Sequence, residues 1–348
     1  MTNLEVRPQP TVCPPSAGPG PCVQLWPARN VPLGGIRAMT VSRTLPQRAL
    51  PTIGAWCFLD SYGPGPATMA VLPHPHTGLQ TVTWLLSGTI RHRDSLGSDV
   101  LVRPGQLNLM TAGQGVAHSE FAVRPDEVQA TDGGSDGGSN DDGGEARGDV
   151  DGGTVRGLQL WVALPENARH QPARFEQHAD LPKLEGANFT ATVIAGSLDG
   201  VTSPARVHSP LVGAEVSVTA TGPVSLSLEP GFEHAILVLA GSVEIDGIVL
   251  DSGPLAYLGS GRTRLDLDAP EGARFMLLGG EPFREELLMW WNFVGRSHEE
   301  IVRARQDWEE HSSRFGAVPG HGEDAGREAG RIPAPPMPGI RLTPRRRG

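Results

Sequence analysis

The residues of this chain best suited by type and spacing to do chemistry are two short pairs, His74-Pro75-His76 and His118-Ser119-Glu120. Side chains along a strand alternate between faces, so each i, i+2 pair projects from one face with Cα atoms about 6.5 Å apart. Two imidazoles at that separation can converge on one ion. An H-x-H alone is at least as often an exposed turn, but a second pair, on a strand that the intervening hairpin can bring alongside, supplies one more imidazole and a carboxylate. Such a set suits a divalent first-row metal and leaves positions open for water or substrate; iron, nickel, copper, manganese and zinc are all chemically admissible. Cys13, Cys22 and Cys57 are the only cysteines and show no C-x-x-C spacing. A disulfide framework and a thiolate zinc site are therefore not expected, and Cys57 reads as a buried strand thiol.

The elements that must position these pairs are strands. Gly and Pro are abundant, at 45 and 32 residues, and short apolar or β-branched runs such as IGAWCFLDSYGP, LQTVTWLLSG, QLNLMTAG, GLQLWVALP and HAILVLAGSVEIDG end in Gly, Pro or Asp. One helix is expected late, with Ser297 as its cap and Glu300 completing an S-x-x-E box. A repeat links the halves: TGLQTVTWLLSG (77–88) resembles PGFEHAILVLAG (230–241), and RPGQLNLMTAG (103–113) resembles DSGPLAYLGSG (251–261). The fold class expected is all-β, with two antiparallel jelly-roll barrels and a C-terminal helix. Laid against each other, the halves put Ser227 opposite His74, Glu229 opposite His76, Asp266 and Asp268 opposite His118 and Glu120, and His234 opposite Thr81. The second half thus lacks a histidine pair. Counting by twos from His76 places Gln80, Val82, Trp84 and Leu86 on the histidine face, with Gln80 and Trp84 as candidate substrate neighbours. His92 and Arg93 read as a solvated hairpin loop near the barrel mouth, with substrate contact as the second reading, and Trp56, Phe58, Trp290 and Trp291 as core or interface residues.

Charge is unevenly divided. Residues 126–153 carry nine carboxylates against one arginine, a net minus eight of the chain's formal minus ten, together with nine glycines. Little there is apolar, so a disordered insertion is expected. The tail PAPPMPGIRLTPRRRG ends in Arg345, Arg346 and Arg347, too few arginines for a strong nucleic-acid signal. No segment is long and apolar enough to cross a bilayer and no signal peptide is evident, which places the protein in the cytoplasm as an expectation. The organisation expected is a Pro-rich segment 1–30, a metal-binding domain 31–125, the insertion 126–153, a second domain 154–285 without metal ligands, a helix region 286–315 and a Pro/Arg-rich tail 316–348.

HPHTGLQTVTWLLSGTIRHRDSLGS followed by RPGQLNLMTAGQGVAHSE resembles the first domain of the pirins, bicupin proteins of two β-barrels. The resemblance continues through GLQLWVALP, GEPFREELLMWWNF and the capped helix. It implies one iron ion, as Fe(II), held in the first barrel by three histidines and a glutamate, which map onto His74, His76, His118 and Glu120, and a second barrel without metal. Two functions of different classes follow from it. One is a quercetin 2,3-dioxygenase, in which dioxygen is inserted into a phenolic flavonol and a carboxylate takes the 3-hydroxyl proton; Glu120, the only metal-adjacent carboxylate, would then be both ligand and catalytic base. The other is a non-enzymatic, iron-dependent, redox-responsive regulatory protein, as eukaryotic pirins are with transcription factors. Pirins usually carry F-E where this chain has Leu79-Gln80, so a nearby carboxylate is replaced by an amide. The Asp/Gly insertion and long Pro-rich ends also depart from the pattern.

Overall fold

The structure is a computed structural model of the 348-residue chain, and it describes residues 8, 11–13, 20–33, 39–66, 69–124, 154–322 and 329–343. The Asp/Gly-rich insertion and the terminal arginine cluster lie outside the described residues. Short β-prone runs closed by turn residues pair into two jelly-roll domains, each made of a larger and a smaller antiparallel sheet.

In the first domain the larger sheet has seven strands, in the order Arg174–His178, Leu107–Thr111, Leu79–Ser87, Thr154–Ala163, Trp56–Pro66, Met39–Leu45 and Arg29–Leu33. The smaller sheet has four, in the order Ala70–His76, Val116–Val123, Thr89–Asp94 and Asp99–Val102. Val41, Tyr62, Leu85 and Val155 from one sheet pack on Val71, Ile90 and Val102 from the other. The strand Thr154–Ala163, expected in the second domain, lies between Trp56–Pro66 and Leu79–Ser87 at the centre of the first. The acidic segment interrupts one domain; it does not divide two.

The second domain repeats this plan. Its smaller sheet runs Gly222–Ser227, Arg264–Ala269, Ser242–Ile245 and Ile248–Asp251, the same chain order as in the first. The repeated sequences form equivalent neighbours, since Leu79–Ser87 pairs with Leu107–Thr111 and Glu233–Ala240 with Leu255–Gly259. One correspondence needs correcting. Asp266 and Asp268, placed opposite His118 and Glu120, are exposed, whereas Leu265 and Leu267 between them are buried with Val224, Leu226 and Ile245. Leucines fill the interior of the second barrel where the first carries polar ligand-type residues.

The two large sheets pack back to back. Leu79, Val82, Trp84, Leu158 and Leu160 from the first share one apolar cluster with Leu237, Leu255, Tyr257, Met276 and Leu278 from the second. Several polar groups buried in this seam are paired across it, as burial favours. Trp56 donates its indole N–H to Val212 O and Gly279 O at 3.1 Å each, and Glu233 accepts from Gly54 N at 2.8 Å and from the Tyr257 hydroxyl at 3.0 Å. Cys57 is buried beside them, and burial pushes its thiol up to about 12. The N-terminal segment is also knitted in, with Gln24–Trp26 pairing with Leu255–Gly259 of the second domain.

The helix His298–Glu309 begins as its sequence indicates, with Ser297 Oγ accepting from Glu300 N at 3.3 Å. The Glu300 carboxylate bonds Arg296 N and Arg169. Ile301, Ala304 and Trp308 bury the helix against Trp290, Trp291, Phe293 and Phe315. The Pro-rich tail also packs. Arg331 lies 4.2 Å over the Trp308 ring, and Ala334 and Leu342 are buried.

Candidate metal centre

The inner face of the four-stranded sheet gathers the polar residues. His74 lies directly opposite His118 and His76 opposite Val116; on the other side His118 pairs with Asp94 and Glu120 with His92. Cross-strand partners in an antiparallel ladder project the same way. One face of three adjacent strands therefore presents His74, His76, His118, Glu120, His92 and Asp94, all at most 3% exposed. The strand Ala70–His76 fits this pairing through a bulge, its register shifting opposite His118 and Glu120, a device that re-aims side chains beside sites.

The geometry suits an ion. The ligand atoms of His74, His76 and His118 all lie within 4.8 Å of one another, as do those of His92, His118 and Glu120. The Nε2 atoms of His76 and His118 are 3.1 Å apart. Two nitrogens bonded at right angles to one metal at about 2.1 Å would be separated by about 3.0 Å. His74 donates from Nδ1 to Leu72 O at 2.9 Å, which leaves the Nε2 lone pair free, and that buried nitrogen has no hydrogen-bond partner among the described residues. Burial pushes His74 down to about 4 and His76 and His118 well below the usual imidazole range, with neighbouring imidazoles adding to the push on the latter two. Neutral imidazoles with inward lone pairs are the form a metal needs. The residues present fit a divalent cation.

Each candidate can now be placed. His74, His76 and His118 come together, and Glu120 stands next to them in the grouping that shares His118. Gln80 and Trp84 do not share this face. Leu79–Ser87 belongs to the large sheet and Ala70–His76 to the small one, so the alternation does not carry across the turn between them. Gly78 makes that turn with φ +70°, and a Cβ there would meet Val294 O at 2.1 Å. Gln80 donates from Nε2 to Thr111 Oγ1 and Arg206 O, both at 2.9 Å, and Trp84 donates to Glu215 Oε2 at 2.6 Å; both turn to the domain seam. The inward residues are Thr81 and Thr83. Thr83 Oγ1 lies 3.4 Å from Glu120 Oε1, and Trp161, paired with Thr81, packs edge-on to His76 at 5.3 Å.

His92 is the residue that reading the sequence as a charged loop missed. It lies in the strand Thr89–Asp94, 3% exposed, stacked on Phe175 at 4.5 Å. The signal was present in the same i, i+2 spacing, here H-x-D. Arg93, on the opposite face, is buried too, against Phe121 and Gly320. In the second domain His234 is fully buried, and neither ring nitrogen has a hydrogen-bond partner among the described residues. No metal-type cluster of the described residues includes it.

Comparison with known proteins agrees with this architecture. The Pirin family profile matches residues 38–162 and that of the Pirin C-terminal cupin domain residues 213–316. A Pseudomonas aeruginosa protein provisionally named a quercetin 2,3-dioxygenase is 44% identical over 315 residues, covering 89% of each chain. A pirin-like protein of Caulobacter vibrioides is 35% identical, over 82% of this chain and 92% of its own. The crystal structure of quercetin 2,3-dioxygenase from Acinetobacter baumannii superposes with a TM-score of 0.78 at 37% identity, over 91% of this chain and 96% of that one. A bacterial pirin from Escherichia coli in complex with nickel(II), at 18% identity and TM-score 0.56, shares the fold. With both domains matched and close identity across most of its length, the chain belongs to the pirin family.

Proposed function

We propose that this protein is a mononuclear metal-dependent dioxygenase acting on a flavonol such as quercetin, with His74, His76, His118 and Glu120 as ligands and Fe(II) as the ion. The observation that carries the metal assignment is the 3.1 Å approach of the His76 and His118 Nε2 atoms beside the unpartnered Nε2 of His74. The names of the Pseudomonas and Acinetobacter relatives support the substrate class. When bound, the metal would supply a Lewis-acidic, redox-active centre. The chain's own residues do the rest. Glu120 takes the proton of the flavonol 3-hydroxyl at a carboxylate oxygen, with Thr83 beside its Oε1. Trp161, stacked on Phe58 at 4.0 Å, and Phe175 give the interior flat apolar walls suited to an aromatic ring system.

The test is metal content of protein purified without added metal or chelator, with oxygen uptake in the presence of quercetin and a panel of phenols. Stoichiometric iron with flavonol-dependent uptake supports the proposal. Iron without turnover, whose redox state changes a partner's affinity, favours the regulatory class.

A further inference from the structure

Beyond the four ligands, the inner face carries a second pair, His92 and Asp94, that neither the ligand set nor the reaction uses. Resting on the metal reading above, we infer that Asp94 and His92 are positioning residues that fix the His118 ring and its tautomer so that the Nε2 lone pair, not a proton, faces the ion.

The contacts run in one line. Asp94 Oδ1 accepts from Leu96 N and Ser98 N, both at 2.9 Å, which locks the carboxylate to its turn. Asp94 Oδ2 is 3.3 Å from His92 Nε2, and His92 Nδ1 is 3.4 Å from His118 Nδ1. Both distances are at the long end of the hydrogen-bond range. A carboxylate only accepts, so the His92 proton sits on Nε2. His92 Nδ1 then carries a lone pair and accepts from His118 Nδ1–H. The His118 proton is thus held on the far side of the ring, and its Nε2 lone pair points at His76 Nε2. The Leu72 carbonyl does the same for His74. Phe175, stacked on His92, holds the relay in plane. A carboxylate or carbonyl behind a ligating imidazole fixes its orientation and raises its basicity, and removing such a partner costs 10–100-fold in metal affinity.

Two variants of the full chain separate positioning from folding. Asp94→Asn keeps an oxygen for the turn amides but presents an NH2 to His92 Nε2. That makes His92 Nε2 an acceptor, moves its proton to Nδ1, and pushes the His118 proton onto Nε2, the face meant for the ion. His92→Phe keeps a ring against Phe175 and removes the acceptor. Tautomers are read by imidazole nitrogen NMR of the metal-free protein, and affinity by chelator competition with nickel(II) as a redox-stable probe. The expected result is an Nδ1–H His118 in wild type, an Nε2–H His118 in Asp94→Asn, and nickel affinity about 10–100-fold lower in both variants. An unchanged His118 tautomer in Asp94→Asn, with affinity within about twofold of wild type, would overturn the inference. So would loss of stoichiometric nickel in His92→Phe alone, which would make His92 a ligand. If wild type binds no nickel or iron, the metal reading fails, and the NMR arm still decides the tautomer.

Discussion

Trp84 and Glu215 join the two barrels through a 2.6 Å hydrogen bond from the indole N–H to Oε2, and the same carboxylate also binds Arg274. Trp84→Phe keeps most of the apolar contact and strands one carboxylate oxygen in the seam. It should lower stability by about 1.5–3 kcal/mol with metal content unchanged, as measured by urea unfolding and metal analysis.

Gln80 reaches the same seam, so Gln80→Glu is a stability variant and not a catalytic one. A carboxylate cannot donate to Arg206 O, where the amide now does at 2.9 Å. Unfolding should become easier by about 1–3 kcal/mol, with no shift in the pH dependence of oxygen uptake. A new ionisation in the rate profile would instead place residue 80 at the substrate.

What the sequence made legible, and what it hid, follows the range of the interactions. H-x-H and H-x-E declared themselves because strand alternation is local, and nothing intervenes within either pair. Gln80 and Trp84 went to the wrong face because the chain changes sheets at Gly78, a tertiary event that counting by twos cannot register. His92 was hidden by its neighbours: Arg91 and Arg93 made the run look solvated, yet Arg93 is buried under the C-terminal segment at Gly320. The seam itself, made by residues far apart in the chain, left no periodic trace that separates it from ordinary core.

His118→Ala should remove most bound metal, because losing one donor leaves an incomplete set. Asp266→Asn should leave it unchanged, since Asp266 is exposed and paired to Arg264 at 2.7 Å. Metal analysis after chelation and reconstitution reads both, and full occupancy in His118→Ala would sink the ligand assignment.

Arg43 and Asp60 form a two-pronged ion pair at 2.7 and 2.8 Å inside the first domain, 3% and 0% exposed, with the guanidinium 4.4 Å over Phe58. Asp60→Ala would leave a buried guanidinium without its carboxylate. The expected loss is about 3–5 kcal/mol, measured by denaturant unfolding. Arg43→Met with Asp60→Leu should recover much of it, since removing both charges ends the desolvation cost.

His234 gives stability a pH dependence independent of the metal. Burial, with Arg262 adding, lowers it to about 4, against about 6.5 in the unfolded chain. Between those values the unfolded state binds more protons, so stability falls as pH drops from about 6.5 to about 4 and levels off below, by about 2–3 kcal/mol. His234→Leu should flatten that part of the curve, read as unfolding free energy at stepped pH. An unchanged slope would mean the imidazole is already charged in the folded protein.

The strand Gln24–Trp26 pairs with residues 255–257, more than two hundred positions downstream, before the chain enters the first barrel's own strands. The protein therefore cannot be cut into two autonomous cupins after Arg174–His178, the last strand of the first domain's sheet. On the ribosome this early strand must wait, unpaired, until the far barrel has been made. The duplicated halves thus mature as one late, non-local assembly, and a fragment ending before residue 255 would carry the complete ligand set together with an unpaired edge strand open to association.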